Sequence, residues 1–141
     1  MKVLFCLHNL YIASENKHIH NPTISLPLGV LSMAAFLREN SWPGKIEIYD
    51  ARLSGNITKF SNGDIVFGDL DEVIEQRIID SAPDIIAISN MFSWQISNAF
   101  RMAKIAKKSC PNAIVVIGGP HASSFPEETL KESGIDYVVM G

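Results

Sequence analysis

Apolar runs of strand length alternate with segments of helical period along this chain, and that alternation restricts its fold more than any other feature. Lys2-Val3-Leu4-Phe5-Cys6-Leu7 is a continuous apolar run, as expected of a strand buried on both faces. A long polar segment follows, from Asn9 to about Ser25. Leu26 to Glu39 then has helical spacing, with Leu28, Leu31 and Ala35 on one face and Ala34 and Leu37 beside it. Pro27 suits the first turn, where a missing N–H costs nothing. Lys45-Ile46-Glu47-Ile48-Tyr49 alternates, so the second strand is predicted at a sheet edge with one wetter face.

Between Asp50 and Phe67 lies an insertion. Ile57–Phe60 and Asp64–Phe67 flank Ser61-Asn62-Gly63, and Asn-Gly predicts a type I′ hairpin. Leu70, Val73, Ile74 and Ile78 then mark a second helix, stopped by Pro83. Asp84–Ser89 is the third strand. Ile96, Ala99, Phe100 and Ala103 mark a third helix, with Lys104, Lys107 and Lys108 in its last turns, where positive charge complements the helix dipole. Ala113–Ile117 is the fourth strand. Pro126-Glu127-Glu128 opens a fourth helix that Gly134 ends, and Asp136–Met140 is the fifth strand.

Such a pattern builds an α/β doubly wound, five-stranded parallel sheet covered on both sides. With the second strand the most polar, the flavodoxin-like (Rossmann-like) order 2-1-3-4-5 fits, with a small hairpin inserted after strand two. Residues 1–141 form one domain. A hydrophobic fraction of 47% with 19% charged residues supplies a core for such a sheet. No apolar run approaches the roughly 20 residues of a membrane span, and Lys2–Leu7 is too short and too early for a secretory signal. A formal net charge of −3 argues against nucleic acid as the partner. Cys6 and Cys110 stand far apart in no metal-ligand spacing, so reduced thiols in a cytoplasmic protein are expected.

In a sheet of this order ligands bind beyond the carboxyl ends of the strands where the order reverses, here between strands one and three. That nominates His8-Asn9, Ser89-Asn90-Met91 and Gly118-Gly119-Pro120-His121. No Gly-x-Gly-x-x-Gly follows strand one, which excludes the dinucleotide fingerprint. A phosphate loop of Ser/Thr and Gly and the acidic cluster of a receiver domain are missing as well. Gly118-Gly119 either lets a bulky ligand approach the backbone, using φ > 0, or is an ordinary turn out of strand four.

Four stretches together resemble the N-terminal cobalamin-binding domain of radical S-adenosylmethionine proteins related to the anaerobic magnesium-protoporphyrin IX monomethyl ester oxidative cyclase. They are Pro27-Leu28-Gly29-Val30-Leu31 with Ala34–Arg38; Pro83–Ser89; Val115–Ser123, whose Gly-Gly-Pro-His-Ala is the most specific; and Pro126-Glu127-Glu128 with Ile135–Gly141. The resemblance implies that Ser89 hydrogen-bonds the displaced dimethylbenzimidazole tail, while Gly118 and Gly119 let the nucleotide pass against the backbone. It sets His8, Asn9, Asn90, Met91, Pro120, His121 and Gly141 around the same cofactor. His121 is expected to pack locally or touch the tail rather than transfer a proton. Phe92 and Trp94 either cover the macrocycle or pack the third helix.

Cobalamin-dependent mutases and methionine synthase carry Asp-x-His-x-x-Gly after strand one, whose histidine ligates cobalt. Here His18-Ile19-His20 has neither the aspartate nor the glycine, so no histidine, His8 included, is expected on the metal. The narrower radical subgroup typically lacks that motif too. Such enzymes hold a [4Fe-4S] cluster and S-adenosylmethionine on three closely spaced cysteines. With only Cys6 and Cys110, those would lie in a radical domain expected after Gly141, leaving this chain the cofactor module and no catalytic residue. The rival expectation is a degenerate flavodoxin-like domain without corrinoid that serves domain docking.

Overall fold

The computed structural model describes residues 1–16 and 24–141, so His18 and His20 lie outside the described residues. Its main sheet has strands β1 (Lys2–Leu7), β3 (Lys45–Asp50), β6 (Ile85–Ser89), β7 (Ile114–Gly118) and β8 (Tyr137–Val139). They run parallel in the order β3-β1-β6-β7-β8, which is the predicted 2-1-3-4-5, with the polar second strand at an edge.

Alternation along β1 assigns the two faces. Leu4 and Cys6 join Ile86, Ile88, Val115 and Ile117 beneath helices α2 (Asp71–Ser81) and α3 (Ile96–Ser109). Val3, Phe5 and Leu7 face the other way, toward α1 (Leu28–Glu39). Burial on both faces explains why β1 and the inner strands are apolar nearly throughout.

Packing on α1 differs from the expected face. Val30 is buried, and Ala34 and Leu37 pack against the sheet, whereas Leu28 and Leu31 are exposed. Val30, Ala34 and Leu37 follow an i, i+4, i+7 stripe. The helix is apolar on several sides, so periodicity alone did not select the stripe that meets the sheet.

The inserted hairpin is present as β4 (Ile57–Lys59) and β5 (Ile65–Phe67), with a different turn. Gly63 N–H donates to Phe60 O at 2.9 Å, and of the loop residues only Gly63 has positive φ, at 89°. A three-residue loop whose glycine takes the left-handed position therefore replaces the two-residue type I′ turn, which needs φ > 0 at Asn62 as well. The hairpin also gains a third strand, β2 (Leu10–Ile12), antiparallel to β5. This short strand falls inside the segment expected to be an irregular polar loop.

The expected fourth helix is split and begins earlier. Pro120–Ser124 forms α4 and Pro126–Leu130 forms α5, with Phe125 between them at φ −132° and ψ 58°. A residue before proline is pushed out of helical conformation, so Pro126 interrupts what would otherwise be one helix. Pro120 at the first position of α4 lies directly above the end of β7.

Candidate functional site at the carboxyl edge of the sheet

Register brings the nominated segments to one row. Leu7 pairs with Ser89, Ser89 with Gly118, and Gly118 with Val139, so four adjacent strands end level. Loops leaving this row form the site.

His8 is buried at the top of β1 and held from two sides. Its Nδ1 lies 2.8 Å from the Asn9 carbonyl and its Nε2 lies 3.3 Å from Asn90 Oδ1. Both partners are carbonyl oxygens that only accept, and a neutral imidazole donates from one nitrogen, so the shorter contact assigns the proton to Nδ1 and leaves Nε2 only in polar contact with Asn90 Oδ1. Burial holds the imidazole pKa below its ordinary value, partly offset by the bonds to Asn9 and Asn90, and the Arg52 and Arg101 charges lower it further. The ring is therefore neutral at pH 7, and both nitrogens face groups of the fold.

Asn9 and Asn90 stand behind the site as struts. Asn9 Nδ2 donates to Asp69 O and its Oδ1 accepts from Arg101 Nη2, both at 2.6 Å. Arg101 also reaches Asp71 at 2.8 Å and lies over the Tyr11 ring, 5.1 Å from its centroid. Asn90 is fully buried; its N–H donates to Gly118 O at 3.0 Å and its Nδ2 to Phe92 O at 3.1 Å.

Gly118 and Gly119 differ in what requires glycine. Gly119 has φ 120°, and a Cβ there would lie 2.1 Å from the Asn90 carbonyl oxygen. Gly118 lacks positive φ, and its added Cβ would meet only Val139, at 3.6 and 3.7 Å. The expectation of a positive-φ pair thus holds for Gly119 alone. A small side chain at Gly118 would make only ordinary van der Waals contacts, so the fold itself does not require glycine there. Pro120 is exposed on α4, and Gly141 N–H donates to Ser123 Oγ at 3.2 Å, which keeps the last residue at this edge. His121 lies beside the Phe125 ring at 5.1 Å, and its buried Nδ1 has no partner among the described residues.

A cavity of about 350 Å³ opens between the start of α1, the end of β1 and the loop after β6. His8, Ser89 and Met91 line it; Asn9, Asn90, Pro120, His121, Gly141 and the two glycines do not. Phe92 also lines it and stacks on Trp94, with centroids 6.3 Å apart and an interplanar angle of 24°. Both aromatics are about half exposed, which rules out core packing for Trp94. Sequence reasoning missed Arg52 and Gln95, two further wall residues. The arginine carried a signal in Asp50-Ala51-Arg52, an acid two residues ahead at the end of a strand.

A doubly wound parallel sheet with an apolar pocket and a few polar groups at its strand-order reversal defines a cofactor-binding α/β domain. The B12 binding domain model matches residues 21–141, and the chain belongs to that family. It is 31% identical over 124 residues to cytidylyl-2-hydroxyethylphosphonate methyltransferase of Streptomyces wedmorensis, covering 85% of this chain and 23% of that protein. It is 32% identical over 120 residues to an uncharacterised methyltransferase of Pyrococcus horikoshii, covering 84% of this chain and 22% of that one. The chain thus spans under a quarter of the length of these relatives. The crystal structure of the pilus assembly protein CpaE from Caulobacter crescentus shares the fold at a TM-score of 0.50 and 11% identity, over 98% of this chain and 80% of that one.

The residues present fit a cobalamin. A glycine at Gly118 that the fold itself does not require, the orphaned His121 Nδ1, and a Ser89 hydroxyl with no partner among the described residues are features that a buried nucleotide tail could complete. Among the described residues, no group of three or more His, Cys, Asp or Glu is arranged to hold a metal ion. Burial pushes the Cys6 thiol up to about 12. Among the described residues, no helix is long and apolar enough to cross a membrane.

Proposed function

We propose that this chain is the cobalamin-holding module of a larger cobalamin-dependent radical S-adenosylmethionine enzyme, with methyl transfer as its reaction. The observation that carries this reading is the B12-binding match over residues 21–141 on a fold that sets Ser89 opposite Gly118. The two relatives named as methyltransferases support the choice of reaction.

When bound, the cofactor supplies a cobalt centre able to carry a methyl group. The chain's own part is to bind and orient. Ser89 donates its hydroxyl to the tail base, Gly118 admits the nucleotide, Gly119 lets the backbone beside it turn closely over Asn90, and His121 Nδ1 gains the partner it lacks. Met91, Pro120 and Gly141 border the cofactor. Asn9 and Asn90 act one step back by fixing His8, whose nitrogens stay within the fold rather than on the metal. The half-exposed Phe92–Trp94 pair and the exposed Leu26 and Leu28 supply an apolar rim for the macrocycle and the radical domain above it. The [4Fe-4S] cluster and S-adenosylmethionine belong to that domain, outside this chain. Free Cys6 and Cys110 support a reducing, cytoplasmic setting.

The test is reconstitution with hydroxocobalamin, followed by gel filtration and a visible spectrum of the protein peak. Wild type is expected to carry corrinoid, and Gly118→Trp, which puts a bulky side chain at the end of β7 where the nucleotide would pass, is expected to elute without it while remaining folded. A colourless wild type would put the corrinoid-free docking domain ahead.

A further inference from the structure

The geometry points to Arg52 as a binding residue for the uncharged carbonyl groups at the periphery of the ligand, an inference that rests on the cobalamin reading above. Arg52 follows β3 and reaches the same pocket wall as His8 and Ser89. One edge of its guanidinium is fixed: Nε and Nη2 each donate to a carboxylate oxygen of Asp50 at 2.9 Å. Asp50 is buried and also accepts from Arg52 N–H at 3.0 Å, so the pair is rigid. Nη1 has no partner among the described residues. A planar five-donor fork bound on one edge presents its remaining N–H groups as oriented donors.

The electrostatics select what those donors meet. Asp50 offsets the arginine charge at contact distance, so the pair offers directional donors with little net attraction for an anion. The rest of the pocket agrees. Its walls are mainly apolar, and the other polar side chains lining it include the Ser89 hydroxyl and the Gln95 carboxamide, both neutral. A pocket with these groups suits an apolar framework fringed with amide carbonyls. Corrinoids carry primary amides around an apolar ring, so Arg52 would hold the macrocycle by its fringe, independently of the nucleotide tail.

Arg52→Lys tests this directly. Lysine keeps a charge for Asp50, but a compact ammonium so engaged has no second planar edge to offer the pocket. Binding of hydroxocobalamin and of cobinamide, which has no nucleotide tail, is measured by visible titration of the chain at low and high salt. Arg52→Lys is expected to weaken both ligands about tenfold, the loss of one charge-assisted hydrogen bond, with the same factor at both salt concentrations. The double variant Asp50→Asn/Arg52→Met removes the pair together, leaves no unpaired buried charge, and should show the same loss. Equal affinity of wild type and Arg52→Lys would overturn the inference. So would a loss confined to hydroxocobalamin or abolished by salt, which would assign Arg52 to the tail phosphate. Failure of the wild type to bind either ligand would instead count against the cobalamin reading itself.

Discussion

Replacing Gly119 by alanine should cost far more than the same change one residue earlier, and the difference follows from the backbone. Gly119 has φ 120° and ψ 179°, a region essentially reserved for glycine, so alanine carries about 1–3 kcal/mol of local strain. Its Cβ would also stand 2.1 Å from the Asn90 carbonyl oxygen, where ordinary contact begins near 3.4 Å. Relief requires roughly 1 Å of movement of either α4 or Asn90. Moving Asn90 loosens its bond to Gly118 O and its contact with His8, a further 1–2 kcal/mol or so. The two ranges sum to about 2–5 kcal/mol, centred near 3–4, a large part of the 5–15 kcal/mol typical of a whole domain. Gly118→Ala meets only ordinary contacts with Val139 and should cost less than about 1 kcal/mol. Urea unfolding of the two variants and wild type, followed by circular dichroism, reads the difference. With a slope of roughly 1–3 kcal/mol/M, Gly119→Ala should lower the midpoint by more than about 1 M and Gly118→Ala by well under that. Coincident midpoints for the two variants would refute the steric account of the pair.

Two further perturbations probe the struts behind the site. Arg101→Met strips Asn9 Oδ1 of its donor and removes the cation over Tyr11, and should cost about 2 kcal/mol in the same urea assay; an unchanged midpoint would mean that water replaces the guanidinium at no cost. His8, with its folded pKa below the ordinary 6.5, binds fewer protons folded than unfolded. Stability should therefore be constant in this respect above about pH 6.5 and fall as pH drops from there toward the folded pKa, below which the loss levels off. An NMR titration that places the His8 ring at or above 6.5 would contradict the buried, neutral assignment.

The residues that sequence reasoning located best are those whose role is set by their own strand. Leu7, Ser89 and Gly118 end successive apolar runs, and parallel pairing in the 2-1-3-4-5 order brings such ends level without further information. Arg52 escaped because the local pairing with Asp50 shows only that the two side chains can meet; that this pair, at the end of an edge strand, borders the central crevice depends on the burial of Asp50 by the rest of the fold. The different demands on Gly118 and Gly119 escaped for a related reason. Two adjacent glycines are alike in sequence, and it is the Asn90 carbonyl, brought in from β6, that distinguishes them.

By itself the sequence determined the layered α/β architecture, the strand order and the edge that carries the candidate site. Those depend on hydrophobic period and chain connectivity, which act along the chain. Tertiary structure alone decided which stripe of α1 meets the sheet, that Leu10–Ile12 becomes a strand by pairing with Phe67, Val66 and Ile65, and which carboxyl-edge residues line the cavity rather than support it. Each of those depends on a partner far along the chain. A short apolar stretch or a lone polar side chain has several possible environments until the rest of the fold supplies one.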